Sequence, residues 1–502
     1  MTTTIQNKRL HLFVTLLLIL LAIAGRAQSV EDDPLVLSLQ ESIERAINNN
    51  VSVKQTELQV IGSQVALKQS KADLLPSLNA STGISYSVGR TINQFTNEYV
   101  DQPVRQQNMG INSQLTIFNG LQRLNTIKQN KINLEGSQYE LEASKDAVTL
   151  NVIQAYTQIL FNIELLETAD FQLQTTQQQL QRTEKLVNAG SLPIANQLQL
   201  EAQLASDELN IVNAENDLEL AYLNLKQLLQ IPESDAIEII IPELEAPTSA
   251  ELPFSAGVVY EGAVQNWANL QSAELQINSA RYGLAIAKGG YYPTLSLSAG
   301  IFSQYSSIAP DQIPRAGTDN ITSVLPTGDF LQVPDGLIPD LPAGTRIPVL
   351  TETQIPSEFT DNTYWNQLDF NLRRFISLDL NIPIFNNWRV RSNVANARIN
   401  MESARLEVIN QRNQLRQTIE QVYLDAKAAA KSFEANNKRV ASLQEAFRNT
   451  ETRYQVGAID AVDFNQAKND LNAAESDLIR AKYNYIFSLK VLDFYQGKPL
   501  DF

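Results

Sequence analysis

The residues able to do chemistry are few. The 502-residue chain has one His and no Cys, and that His, His11, lies in an N-terminal stretch that reads as a cleaved signal. The remainder lacks the parts of Ser-His and Cys-His nucleophile pairs, thiolate or imidazole metal sites, haem ligation and disulfides. Carboxylates, hydroxyls and lysines are left. A carboxylate-only hydrolase needs an acid and a nucleophile opposed across a pocket. No loop carries such a pair, so neither a cofactor nor an enzymatic activity is expected. Two acidic residues draw attention by position instead. Asp460, after the break Gly457-Ala458-Ile459, reads as the N-cap of a long helix, and Asp463 lies in its first turn, where a carboxylate complements the helix dipole.

Lys8 and Arg9, an apolar run from Leu12 to Ala24 and a small residue at Ala27 make up the signal pattern, with cleavage after Ala24 or Ala27. A retained anchor is the alternative, but about 13 apolar residues fall short of the roughly 20 a spanning helix needs. No Cys is available for a lipid anchor. Of 39 basic residues, 36 remain without Lys8, Arg9 and Arg26, against 55 acidic ones, a net −19 that disfavours nucleic acid. Beyond residue 30 no apolar stretch reaches ten residues, so entry into a membrane would require a closed β-barrel.

The chain is a tandem duplication. Ala46 to Leu78 lies without gaps over Ala263 to Leu295, a shift of 217 that places Glu57-Leu58-Gln59 on Glu274-Leu275-Gln276 and Pro76 on Pro293. Further on the shift is 267: Ile117-Phe118-Asn119 meets Ile384-Phe385-Asn386, and Gly190 meets Gly457. The difference is an insertion of 50 residues, and eight of the 19 prolines fall between Pro310 and Pro356, which predicts an extended loop. The boundaries expected are a signal at 1–27, a first repeat at 28–232, a linker at 233–253, a second repeat at 254–495 with the insertion at about 303–363, and a tail at 496–502. Within the linker, 236–242 reads as a short strand.

Each repeat reads as a helix (46–75 in the first), two strands and a long helical hairpin. Residues 121–188 and 388–456 hold no Pro, and 4-3 spacing through Leu415, Ile419, Val422, Ala426, Ala429 and Phe433 averages 3.5 residues, a coiled-coil period. The returning helices share one seam: Phe464, Ala467, Leu471, Ala474 and Leu478 match Gln197, Leu200, Leu204, Asp207 and Ile211. Four segments alternate apolar with small polar residues: Leu78 to Val88, Met109 to Ile117, Leu295 to Ile301 and Leu368 to Ile382. This pattern suits barrel strands with lipid on one side and water on the other. A soluble sheet packed on a helix would show the same alternation. Four strands cannot close a barrel, so the barrel reading requires several chains.

The duplicated framework resembles the TolC-like outer-membrane efflux proteins over essentially the whole mature chain. The resemblance rests on Pro76-Ser77-Leu78 and Pro293-Thr294-Leu295 entering strands, on Ile117-Phe118-Asn119-Gly120 and Pro383-Ile384-Phe385-Asn386-Asn387 leaving them, and on Arg453-Tyr454-Gln455-Val456-Gly457 at the second hairpin tip. It implies an α+β membrane protein. Tandem-duplicated coiled-coil hairpins, with four β-strands per chain, would build a homotrimer with a 12-stranded barrel in outer-membrane lipid and a 12-helix periplasmic tunnel. It also implies a passive exit duct serving a periplasmic adaptor and an inner-membrane pump of RND or ABC type, in an efflux or type I secretion system. Adaptor docking would fall on Gly190, Leu192, Gly457 and Ile459, which read equally as turn and staple residues.

The family's gate carries two acidic rings beyond the second tip glycine. Asp463 occupies the first and Gln466 the second. Tyr454 matches a gate Tyr, whereas Asn196 stands at the family's Asp position and Ile459 at its Arg position, so that salt bridge cannot form; a Tyr454 to Asn196 hydrogen bond is expected instead. A ring of Asp463 predicts cation selectivity and pH-sensitive conductance; the alternative is an ordinary first-turn carboxylate. The competing reading of the whole chain is a soluble periplasmic coiled-coil scaffold.

Overall fold

The computed structural model describes residues 35–93, 97–242, 252, 254–314, 320–332, 346–356 and 358–500. The signal-like segment 1–27 and linker residues 243–251 and 253 lie outside the described residues. In chain order the elements are β1 (Leu35–Leu37), α1 (Leu39–Asn49), α2 (Val51–Ala72), β2 (Ser77–Ser87), β3 (Arg90–Ile92), β4 (Tyr99–Asp101), β5 (Val104–Asn119), α3 (Gln122–Asn188), α4 (Ile194–Leu229), β6 (Ile237–Ile239), α5 (Ala256–Asn266), α6 (Ala268–Gly289), β7 (Thr294–Ser306), β8 (Gln312–Pro314), β9 (Asn320–Gln332), β10 (Arg346–Pro356), β11 (Phe359–Asp361), α7 (Tyr364–Phe370), β12 (Arg373–Asn381), α8 (Arg389–Gln455) and α9 (Ala461–Tyr495). They divide into two compact units that cut across the duplication: residues up to 68, 127–284 and 395–502 in one, and 69–126 with 285–394 in the other.

The first unit is helical. α3 and α8 run 67 residues each, as expected where no Pro interrupts the seam. The single helix expected at 46–75 is two. Asn50 leaves the helical conformation and accepts the Ser52 N–H on Oδ1 at 2.9 Å, starting α2 afresh. The break recurs at Trp267, its equivalent at the shift of 217. α1 also starts earlier than expected, at a capping box in which Ser38 and Glu41 satisfy each other's backbone N–H groups. The short strand expected at 236–242 is β6, paired in parallel with β1. Tyr156, fully buried on α3, ties the ribbon down by donating its hydroxyl to the Ile240 carbonyl at 2.6 Å, with the Leu37 carbonyl at 3.3 Å. Around it pack Val152, Ile159, Leu225, Leu229 and Ile237. A second core joins Val259 and Leu270 to Leu415, Ile419 and Leu492, and a third joins Val440 to Leu471 and Ala474.

The second unit holds an antiparallel sheet in the order β12-β7-β5-β2. Its register, with Ala80 on Ile111, Ile111 on Ile301 and Ile376 on Ala299, aligns the four apolar rows on one face. That face is uncovered: Leu78, Ile84, Ile376, Leu378 and Leu380 are each more than 60% exposed. The other face carries Asn79, Ser81, Asn108, Asn112, Ser296, Ser298, Ser377 and Asp379. Alternation misread the segment before β12. Leu368 and Phe370 are not strand residues but belong to α7, started by Thr363 accepting the Asn366 N–H. Two aromatic residues outside the apolar rows, Phe302 and Phe375, lie on the polar face; a Cβ on Gly300 would sit 2.6 Å from the Phe375 ring, and one on Gly110 would be tight against Phe302 at 3.3 Å. The insertion is also not a plain loop: β9 pairs with β10 and β8 with β11, antiparallel.

The turns from strand to long helix are duplicated in geometry. Gly120-Leu121 and Asn387-Trp388, equivalent at the shift of 267, both take two successive left-handed residues, with φ of 64°, 64°, 52° and 62°. A Cβ on Gly120 would sit 2.3 Å from the Gly289 carbonyl oxygen, so the first of these turns requires glycine.

Candidate functional site

Two helical hairpins end in matching tips. After α3, Gly190 is left-handed (φ 72°), its N–H reaching the Val187 carbonyl and Ser191 N–H the Leu186 carbonyl. After α8, Gly457 repeats this with φ 72°, its N–H on the Tyr454 carbonyl and Ala458 N–H on Arg453. Both are Schellman-type stops, which a left-handed glycine permits at least cost. Both glycines are exposed and Leu192 and Ile459 are half-buried. Val456, Val462 and Ile194 beside them are 75%, 56% and 58% exposed. Sequence reasoning passed over these three, although apolar residues flanking a helix break are a visible signal.

The tips meet in a cleft of about 190 Å³ lined by Gln179, Arg182, Leu186, Leu192, Tyr454 and Gly457. The structure thus brings Leu192, Tyr454 and Gly457 together. It does not supply the expected Tyr454 to Asn196 hydrogen bond. The Tyr454 ring stacks on Phe464 at 4.7 Å and 20°, and its buried hydroxyl has no hydrogen-bond partner among the described residues. Phe464 is 2% exposed and also packs on Phe447, so aromatic packing rather than a polar lock fixes the Tyr454 ring.

Asp460 caps α9 as expected, Oδ1 accepting the N–H groups of Val462 and Asp463 at 3.0 Å each. Asp463 and Gln466 are both exposed. Gln466 donates to Asp470 Oδ1 at 2.8 Å. Asp463, Gln466 and Asp470, spaced i, i+3 and i+7, occupy one helix face. The second carboxylate of that face is therefore Asp470, which sequence reasoning did not single out.

Deeper in the hairpins lies an ion pair the sequence reading missed. Lys468 and Asp207 are 5% and 2% exposed, with Nζ 3.1 Å from Oδ2. Lys468 donates further to Thr176 Oγ1 and to the Gln172 carbonyl at 3.4 Å, filling its three N–H groups. Asp207 also accepts from Thr176 on Oδ2 and from Gln203 on Oδ1 at 2.7 Å. The network joins α3, α4 and α9. A desolvated pair this well satisfied fixes how helices pack rather than adding much stability.

A protein-family model described as outer membrane efflux protein matches residues 42–229 and 373–498. Outer membrane protein TolC of Escherichia coli strain K12 is 24% identical over 434 residues, 84% of this chain and 74% of that protein. Cation efflux system protein CusC of the same strain is 22% identical over 452 residues, 88% and 82% of the two. The crystal structure of the outer membrane protein VceC of Vibrio cholerae shares the fold with a TM-score of 0.67, covering 92% of this chain and 97% of that one at 16% identity. The family match spans both helical hairpins, both tips and the strand β12. The chain belongs to the outer membrane efflux protein family.

Proposed function

We propose that this chain is the outer-membrane exit duct of a tripartite efflux or secretion system, a passive channel and not an enzyme. Three copies would each give the strands β2, β5, β7 and β12 to a 12-stranded barrel, and their hairpins would form a 12-helix tunnel across the periplasm. The observation that carries the reading is the four-stranded sheet. Its two outer strands, β2 and β12, have no further partner among the described residues, and its apolar face lies bare. In lipid every backbone group needs a partner, so such a sheet is complete only when copies close it. A soluble scaffold would leave those rows of Leu and Ile in water.

In this reading the tips meet a periplasmic adaptor bound to an inner-membrane pump of RND or ABC type. Gly190, Leu192, Gly457 and Ile459 dock it, with Val456, Val462 and Ile194 adding apolar area. Asp463 and Asp470 make the acidic face of the constriction, with Gln466 between them. The test is single-channel recording of detergent-purified protein in planar bilayers under a salt gradient. Small cation-selective steps are expected, with selectivity falling in Asp463→Asn/Asp470→Asn. Unaltered selectivity in that variant would overturn the acidic constriction. Inserted protein that never conducts, even with the tip acids removed, would overturn the duct.

A further inference from the structure

The duplication makes one exposed surface readable. Within the chain, α9 of the second hairpin packs on α3 of the first: Lys482 Nζ lies 2.7 Å from Glu164 Oε2, and the Phe161 and Tyr483 rings meet edge to face at 6.3 Å. Beside them, Thr157 and Phe487 line the groove between the two helices. Moved by the shift of 267, α3 becomes α8 and α9 becomes α4. Glu164 then falls on Lys431 and Lys482 on Glu215. Both charges reverse, so the pair is kept with its polarity exchanged. Thr157 and Phe487 fall on Leu424 and Leu220, whereas the ring contact is not kept, Phe161 and Tyr483 falling on Ala428 and Asn216.

In the single chain these four residues have no such junction. Lys431 and Glu215 are exposed, and neither is salt-bridged within the chain among the described residues. Leu424 and Leu220 are 61% and 54% exposed. They sit on the helices that the intrachain contact leaves out.

We infer that α8 of one copy packs on α4 of the next as α9 packs on α3 within a copy, with Lys431 paired to Glu215 of the neighbouring copy and Leu424 against its Leu220. The occupant of this surface is a second copy of the chain. Charge complementarity and the repeat of an observed contact select it. The inference rests on the trimeric duct reading and names the junction that closes its ring. The two junctions are not alike, however. Thr176, Asp207 and Lys468 become Leu443, Ala474 and Glu201 at the same shift, so the buried ion pair belongs to the intrachain junction alone. The junction between copies is thus the one held without a desolvated charge pair.

Since the native chain has no Cys, the test can be clean. Glu215→Cys and Lys431→Cys are combined in the full-length protein in membranes and treated with a short bismaleimide. Glu164→Cys/Lys482→Cys serves as the intrachain control. The expected result is a trimer-sized covalent band from the first pair, only monomer from either single variant, and a monomer-sized intrachain product from the control. Charge reversal supplies the second reading. Glu215→Lys should lower the fraction of trimer surviving mild detergent about tenfold, and Glu215→Lys/Lys431→Glu should restore it. Protein that is trimeric by mass but gives no intermolecular product, while the control links, overturns this junction and leaves the duct standing. So does charge reversal without effect on trimer survival. Protein that is monomeric by mass in membranes overturns both.

Discussion

Asp146, on α3, offers a quantitative check on the helical unit. Burial pushes its carboxyl up from 3.8 to about 6; the charge of Glu142, one turn earlier, adds to this, and Lys145 pulls the other way. The folded chain therefore holds a proton that the unfolded chain has already lost between about pH 4 and pH 6. Stability is then highest below that window, falls as pH rises through it, and is flat above. Taken whole, the shift corresponds to about 3 kcal/mol. Part of the carboxyl surface stays in contact with solvent, whose screening reduces the usable figure to about 1 kcal/mol. Asp146→Asn keeps the shape and removes the ionisation. At pH 8 the variant should be more stable by about 1 kcal/mol, a rise in Tm of about 1 °C for a chain of this length. At pH 4 the two proteins should melt together. The assay is thermal unfolding of detergent-solubilised protein, followed by circular dichroism at five pH values from 4 to 8. An equal difference at pH 4 and pH 8, or an Asn variant that melts lower at pH 8, refutes the account of Asp146 as a buried acid.

Three other expectations follow from geometry. Tyr156→Phe removes the hydroxyl from the Ile240 carbonyl in a dry core, and should cost about 1–3 kcal/mol; a loss below about 0.5 kcal/mol in denaturant titrations would mean that water replaces it. Gly120→Ala forces a Cβ onto the Gly289 carbonyl and should abolish folded protein, whereas Asn387→Gly at the equivalent turn should fold as well as the native chain; equal yields would deny that the first turn is the closer packed. Asp207→Leu strands Lys468 in the interior and should cost about 3–5 kcal/mol. Asp207→Leu/Lys468→Met should recover most of that loss, and a double variant no better than the single would show that the network is not pairwise.

The four long helices were legible to within a residue or two because their signal is local. An uninterrupted 3.5 period without Pro admits few other structures, and α3, α4, α8 and α9 end where Pro193, the tip glycines and the Asp460 cap end them. The central strands were legible for the same reason. The misreadings came where two local signals compete. Leu368 and Phe370 alternate with Asp369 and Asn371, yet Thr363 caps a helical turn and the buried Gln367 accepts the Ser306 N–H at 3.0 Å, so a side-chain contact outweighs the period. The insertion concealed its pairing because Pro reads as a breaker, whereas an isolated hairpin can carry Pro at positions whose N–H faces away from its partner.

The tip was half legible. Turn glycines and caps declare themselves in sequence, and so did Asp463. Partners do not, because a helical period states which face is buried and never what lies against it. Tyr454 shows this: the expected polar lock gives way to stacking on Phe464, a residue already assigned to the seam. Asp207 is the sharper case. It stood in the same row as Ala474 as the one charged residue among the seam positions Gln197, Leu200, Leu204, Asp207 and Ile211, and its cation lies 261 residues further along the chain. A buried carboxylate requires a counter-charge or several donors, so that one misplaced Asp already implied a lysine or arginine brought to it from another element. The duplication then narrows the choice. A helix seam repeated in both halves cannot by itself tell α4 from α9, and a charge present in one copy of the seam and absent from the other can. Lys468 faces Asp207 where the other repeat would offer Ala474, so the polar residue that weakens the seam most is also the one that makes the two hairpins unequal.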